Sequence, residues 1–168
     1  MEQKWIFLEE AGATMLQYGL LAEDELLRLE AETADPADPQ PVWLQGIAYY
    51  RSKQQLRRQV VEHVPEGATV LVVSKGDEEL LDLPGRIGRH FPQTADGGYA
   101  GAYPADSQET IQHLIALRDR GASHLLLPQP SFWWLDYYAD FAHYLQHHAH
   151  RLTADEQCIL YDLSGCME

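Results

Sequence analysis

The longest stretch of the chain with a regular apolar pattern begins at residue 50 and runs nearly to the C-terminus. Between Tyr50 and Val64, Leu56, Val60, Val61 and Val64 recur at helical spacing, with Arg51, Lys53, Arg57 and Arg58 on the remaining surface. This predicts an amphipathic helix that ends at the turn Pro65-Glu66-Gly67. Thr69-Val70-Leu71-Val72-Val73-Ser74 is a β-branched run without polar alternation, as a strand covered on both faces requires. Asp77 to Leu81 predicts a short helix whose early acids suit the positive end of its dipole. Gly85 to Phe91 predicts a second strand, weakened by its two glycines. A glycine- and tyrosine-containing loop, Pro92 to Pro104, follows.

Asp106-Ser107-Gln108-Glu109 has the spacing of a capping box. The helix it opens turns Ile111, Leu114, Ile115 and Leu117 inward and stops at Gly121. Ser123 to Leu127 predicts a further buried strand. Pro128-Gln129-Pro130-Ser131 then leads into an aromatic helix carrying Trp133, Trp134, Leu135, Tyr138, Phe141, Tyr144 and Leu145. The segments 150–153 and 157–162 predict a terminal β-hairpin.

Strands alternating with helices predict an α/β fold with a mostly parallel sheet and helices on both faces. Right-handed crossovers would line the loops after the strands along one edge, where ligands of open sheets bind. The loops 74–77, 91–94 and 128–131 are therefore the ones where a site is expected.

N-terminal to this domain, Ala22 to Glu30 places Ala22, Leu26 and Leu29 on one helical face. The segment 33–41 carries Pro36, Pro39 and Pro41, which remove backbone donors and bias their predecessors away from the helical region. The chain is thus expected to divide into an acidic helical extension with a proline-rich linker, 1–40, and an α/β domain, 41–168. The apolar run at the start is only four residues long and is closed by Glu9 and Glu10, which fits neither a signal peptide nor a spanning helix.

Composition narrows the function classes. With 168 residues, 45% hydrophobic and 23% charged, the chain has the balance of a globular protein. Twelve basic against twenty-six acidic residues leave a net charge of −14, which repels a phosphate backbone, so nucleic acid is not an expected partner. Cys158 and Cys166 lack zinc spacing, and a reduced cytoplasmic setting is the default.

Candidate chemistry sits on the predicted edge. Ser74-Lys75-Gly76-Asp77 joins a hydroxyl, an ammonium, a glycine and a carboxylate between a strand and a helix, where an anion can be held, although neither a Walker loop nor a dinucleotide fingerprint is present. His90 lies near the end of the second strand with Gln93 in the loop just after it, and an imidazole there suits acid/base work. Gln129 and Ser131 follow the third. Consecutive residues of a helix point about 100° apart, so one of Trp133 and Trp134 can enter the core while the other faces the edge. Trp134, with Asp136 beside it, is taken as the stacking platform. No Gly-x-Ser-x-Gly elbow appears, so nucleophilic hydrolysis has no positive signal. His143 and His147 stand four apart, but Tyr144 occupies the place where a zinc protease has glutamate, and no metal is expected.

The stretches 72–81, His90-Phe91-Pro92-Gln93, Gly97-Gly98-Tyr99-Ala100-Gly101, Tyr103-Pro104-Ala105-Asp106-Ser107 and Trp133-Trp134-Leu135-Asp136 together resemble a recurrent bacterial module. It accompanies glycosyltransferase, methyltransferase and sulfotransferase-like domains, and the likeness spans about residues 67–162. The resemblance implies a Rossmann-like fold and a setting in carbohydrate or glycan biosynthesis, with a glycosyltransferase or another biosynthetic protein as partner. It assigns no catalytic residue. A methyltransferase site would need a glycine-rich turn after the first strand and an acid ending the second. A glycosyltransferase would need Asp-x-Asp. Both are missing, so no cofactor is expected.

The function expected is a noncatalytic or cryptically catalytic module that binds a small sugar-like or anionic ligand, or a protein, at Ser74, Lys75, Gly76, Asp77, His90, Gln93, Gln129, Ser131, Trp134 and Asp136. Two other classes stay open. One is a small transferase-type enzyme using Lys75 and Asp77 as a polar pair, and the other is a homo-oligomer joined through the acidic N-terminal helix and the basic helix.

Overall fold

The structure, a computed structural model, describes residues 42–165, with side chains from Tyr49 onward. The predicted helix 22–30, the linker 33–41 and Cys166 lie outside the described residues. The chain divides into two compact units at Gln54/Gln55, and the second carries the sheet.

Helix α1 spans Val42–His63, so it begins before the predicted Tyr50. Strand β1 (Thr69–Val72), a 3-10 turn (Glu78–Leu81) and strand β2 (Ile87–His90) follow. Then come α2 (Ser107–Asp119), β3 (Ala122–Pro128), a second 3-10 turn (Gln129–Ser131), α3 (Trp133–Tyr137), α4 (Ala139–His148), β4 (His150–Ala154) and β5 (Cys158–Asp162). The aromatic helix predicted as one piece is two. It breaks at Tyr138, whose backbone leaves the helical region while its hydroxyl donates to the Pro104 carbonyl at 2.7 Å.

The fold is α/β with a single five-stranded sheet among the described residues, in the order β2-β1-β3-β5-β4. β1 pairs in parallel with β2 and with β3. β3 pairs with β5, and β5 with β4, in antiparallel. The sheet is therefore mixed. The parallel arrangement expected of most strands holds for β2, β1 and β3 only.

Side-chain alternation divides the core between two faces. Leu71, Val73, Leu125, Leu127 and Tyr161 face Leu114 and Leu117 of α2, Trp134 of α3, and Phe141 and Leu145 of α4. Val70, Val72, Leu126 and Leu160 face Leu56 and Val60 of α1, with Val64, Leu80 and Leu83. Period-two alternation puts neighbouring strand residues into opposite layers, so the uninterrupted apolar run of β1 serves both.

Local chemistry fixes several element ends. Asp106 Oδ1 accepts from the Glu109 amide at 2.8 Å, as in the predicted capping box. The reciprocal bond comes one residue earlier than the motif implies, since Glu109 Oε2 accepts from the Ala105 amide at 2.6 Å. Arg57 of the basic helix face donates to Asp82 Oδ2 at 2.9 Å and to the Asp82 carbonyl at 2.8 Å. It therefore ties α1 to the 3-10 turn. Gly88, which weakens the β tendency of β2, has a packing reason, because a Cβ there would stand 2.3 Å from the Leu81 carbonyl oxygen.

Gly88→Ala pushes β2 against backbone that cannot rotate away. It is expected to cost about 1–3 kcal/mol, the usual price of overpacking. Urea titration would measure this as a lowered midpoint, and an unchanged midpoint would contradict the close approach of β2 to Leu81.

Candidate functional site

The carboxyl ends of the three parallel strands form the rim of the sheet. β1 ends in register with β2, Val72 opposite His90, and the Phe91 amide donates to the Val72 carbonyl at 2.7 Å. Ser74 lies two residues beyond Val72, so strand parity directs it toward the layer that holds the first 3-10 turn. His90, paired with Val72, faces the same layer.

The Ser74 hydroxyl and His90 Nδ1 meet at 2.6 Å, and His90 Nε2 stands 3.3 Å from Glu78 Oε1. A carboxylate only accepts, so in the neutral imidazole Nε2 carries the proton and Nδ1 accepts from the Ser74 hydroxyl. The Gly76 amide donates to Ser74 Oγ at 3.3 Å. Ser74 and His90 are 3% and 2% exposed, whereas the Glu78 side chain is open to solvent.

A second set of bonds joins β1 to β3. The buried Ser131 hydroxyl donates to the Val73 carbonyl at 3.1 Å. Lys75 Nζ donates to the Pro130 carbonyl at 2.6 Å and lies 5.8 Å from the centre of the Trp133 ring. Lys75 has φ 53°, a left-handed conformation that a side chain rarely adopts and that turns the chain sharply off the strand. Gly76, at φ 90°, follows with the Tyr99 ring against it.

The three loops singled out by topology therefore meet, but not every residue in them shares one surface. Ser74, Lys75, Gly76, His90 and Ser131 form a linked rim. Asp77 caps the 3-10 turn, accepting from the Glu79 amide at 2.9 Å. Gln129 is exposed, and its amide donates to the Gln157 carbonyl at 2.8 Å. Asp136 is exposed on α3.

Gln93 is buried. Its amide donates to His113 Nε2 at 3.2 Å, and its Oε1 has no hydrogen-bond partner. Trp134 corrects the expectation of a stacking platform. Its ring is 0% exposed and packs between Tyr138 at 5.1 Å and Phe91 at 5.9 Å, so no ligand can lie on it. Trp133 is the indole at the rim, in edge contact with Tyr103 at 5.2 Å and Tyr137 at 5.8 Å.

Glu78, Tyr99, Tyr103 and His113 adjoin the rim without belonging to the residues expected there from sequence. Glu78 carried a signal, one position beyond the Ser74–Asp77 loop. A cavity of about 320 Å³ opens at the other end of the sheet, beside the start of β3, lined in part by Arg118, Asp119, Ser123 and Ser164. Neither Lys75, Gln93 nor Trp134 lines it.

Electrostatics separate inert groups from available ones. Burial, with a smaller contribution from Asp155, pushes the Cys158 thiol up to about 12, so it is not a nucleophile at neutral pH. No group of three or more His, Cys, Asp or Glu side chains among the described residues could hold a metal ion.

Desolvation lowers the His113 pKa below its ordinary 6.5, opposed by Glu109 and assisted by Arg120. Neutral His113 can accept from the Gln93 amide, and protonated His113 cannot. Desolvation likewise lowers that of His124, against the pull of Asp162.

A histidine whose pKa is depressed by folding leaves the unfolded chain holding more protons, so stability is lost as pH falls through the unfolded value. Denaturation midpoints are expected to fall as pH drops below about 6.5 and to level off below the depressed folded values. His113→Gln is expected to flatten part of that slope, and an identical slope in the variant would exclude His113 as its source.

No protein-family model, curated protein or solved structure matches this chain.

Proposed function

We propose that the chain is a ligand-binding module whose rim takes a small sugar-like molecule bearing an anionic group. The observation that carries this reading is the placing of the Lys75 ammonium 5.8 Å from the Trp133 ring. Tyr103 beside it is 48% exposed and Tyr137 is 69% exposed. An ammonium has three donors, and the Pro130 carbonyl takes one, which leaves donors for an anion. Partly exposed aromatic rings offer apolar faces to the C–H groups of a sugar. In a chain of net charge −14, a cation set among aromatics marks a rim segment that suits an anion.

A Rossmann-like relationship agrees with the parallel β2-β1-β3 core and with ligand loops at its carboxyl edge. The antiparallel β4–β5 pair is the proposed C-terminal hairpin of that fold. A cytoplasmic place in carbohydrate or glycan biosynthesis, with a biosynthetic enzyme as partner, rests on the motif resemblance. Among the described residues no helix is long and apolar enough to cross a membrane.

Calorimetry against sugar phosphates and nucleotide sugars tests the reading. Lys75→Ala and Trp133→Ala are each expected to weaken binding, the latter by about 1–3 kcal/mol, a stacking-sized effect. Trp134→Ala is expected to act on the fold instead, at about 3–5 kcal/mol. Absence of binding by any anionic sugar, or full affinity in Lys75→Ala, would refute the assignment.

A further inference from the structure

Beyond binding, and independently of the sugar reading, the rim holds an arrangement whose geometry is chemical. A hydroxyl, an imidazole and a carboxylate are linked in series at 2.6 and 3.3 Å. They come from the end of β1, the end of β2 and the first 3-10 turn, so only the parallel register brings them together. Packing alone gives no reason to bury a serine hydroxyl against an imidazole whose far nitrogen reaches a solvent-exposed carboxylate.

We propose that Ser74 is a nucleophile, His90 its general base and Glu78 the positioning residue for His90, forming a latent esterase centre for small acyl esters. Three further features fit this chemistry. Ser74 follows the central parallel strand at its carboxyl end and precedes a sharp turn, the placement that exposes a nucleophile in strand–turn–helix hydrolases. The amide of the next residue, Lys75, has no acceptor among the described residues, and in that position an amide can stabilise the oxyanion. His90 Nδ1, 2.6 Å from Ser74 Oγ, is placed to take the hydroxyl proton when the ring is neutral.

The reaction balances without a co-reactant other than water. Ser74 Oγ attacks the ester carbonyl carbon as its proton passes to His90 Nδ1. The bond from that carbon to the alcohol oxygen breaks, and the departing oxygen takes the proton from His90. Water, deprotonated by His90, then attacks the acyl-serine, and Ser74 Oγ leaves and recovers its proton. The products are a carboxylic acid and an alcohol.

The centre is latent because access to it is restricted. Ser74 is 3% exposed, and the Tyr99 ring covers the neighbouring Gly76, with its centre 5.8 Å from that of His90. Tyr99 belongs to a small turn, closed by the Thr94 amide on the Gly98 carbonyl at 2.8 Å and by the Gln93–Tyr99 bridge. Tyr99 is therefore expected to restrict which esters reach Ser74.

The test uses the full chain with p-nitrophenyl acetate and a fluorophosphonate probe. The chain is expected to hydrolyse the acetate above the buffer rate and to carry the phosphonate on Ser74 by peptide mass mapping. Ser74→Ala is expected to lose hydrolysis by 100-fold or more, and Tyr99→Ala to raise both hydrolysis and labelling several-fold. Glu78→Gln is expected to lower kcat about tenfold at unchanged KM, a split that a loss of packing would not produce.

The proposal is overturned if Ser74 goes unlabelled in both the wild type and Tyr99→Ala, or if folded Ser74→Ala keeps its rate. Because the labelling arm uses the unaltered chain, it decides the matter even if Ser74→Ala fails to fold. Neither probe contains a sugar, so failure here leaves the binding proposal standing, and failure of sugar binding leaves this one.

Discussion

β1 is buried on both faces and hydrogen-bonded along both edges, and the geometry of the rim follows from that constraint. A strand so placed has little room for a shift of register, because moving by one residue would carry Val70 and Val72 into the layer now filled by Leu71 and Val73. With β1 held, Val72 and His90 stay opposite each other and Ser74 emerges within reach of the imidazole. The same constraint delivers the Val73 carbonyl to the Ser131 hydroxyl on the β3 side. Leaving a buried carbonyl unpaired there would carry its desolvation cost, which that hydroxyl removes.

The rim consequently has two sides with different chemistry, set by side-chain parity. Even-numbered positions 70, 72 and 74 face the layer of α1 and the first 3-10 turn, and there the Ser74–His90–Glu78 series lies. Phe91, one residue past His90, enters the opposite layer, where it meets Trp134 and Phe141. The cation and the open aromatics, Lys75, Trp133, Tyr103 and Tyr137, gather where the chain turns off β1 and β3. The proposed binding surface and a buried polar series thus occur within a few residues of each other without sharing side chains.

Aromatic density around α3 has a structural role as well as a place in the proposed site. Trp134, Tyr138 and Phe141 fill the space between the sheet and α2, and the Tyr138 hydroxyl holds the loop that ends at Pro104. That bond accompanies the break between α3 and α4. A continuous helix through Tyr138 would have swung Phe141 and Leu145 around the axis relative to Trp134, and the break sets that angle anew. The anchored end of the loop at Pro104 contrasts with its tip at Tyr99, which rests on glycine.

Much of this protein was legible in its residues. The unbroken apolar run of β1, the Asp106 N-cap, the inward Leu114 and Leu117 of α2 and the turn at Gly67 follow from nearest-neighbour chemistry, which a linear chain displays directly. Topological rules then led from alternating elements to the three loops that do meet at one edge. What the residues could not reveal depends on angles and registers set by distant parts of the chain. Helical periodicity separates Trp133 from Trp134 by about 100° but leaves the absolute rotation open, and packing against Phe91 and Tyr138 chose Trp134 for the core. Ser74 and His90 are sixteen positions apart with no motif between them, and only the pairing of β1 with β2 places hydroxyl against imidazole. The turn to antiparallel pairing beyond β3 was likewise decided by how β5 returns along β3, a relation between segments that neither one encodes alone.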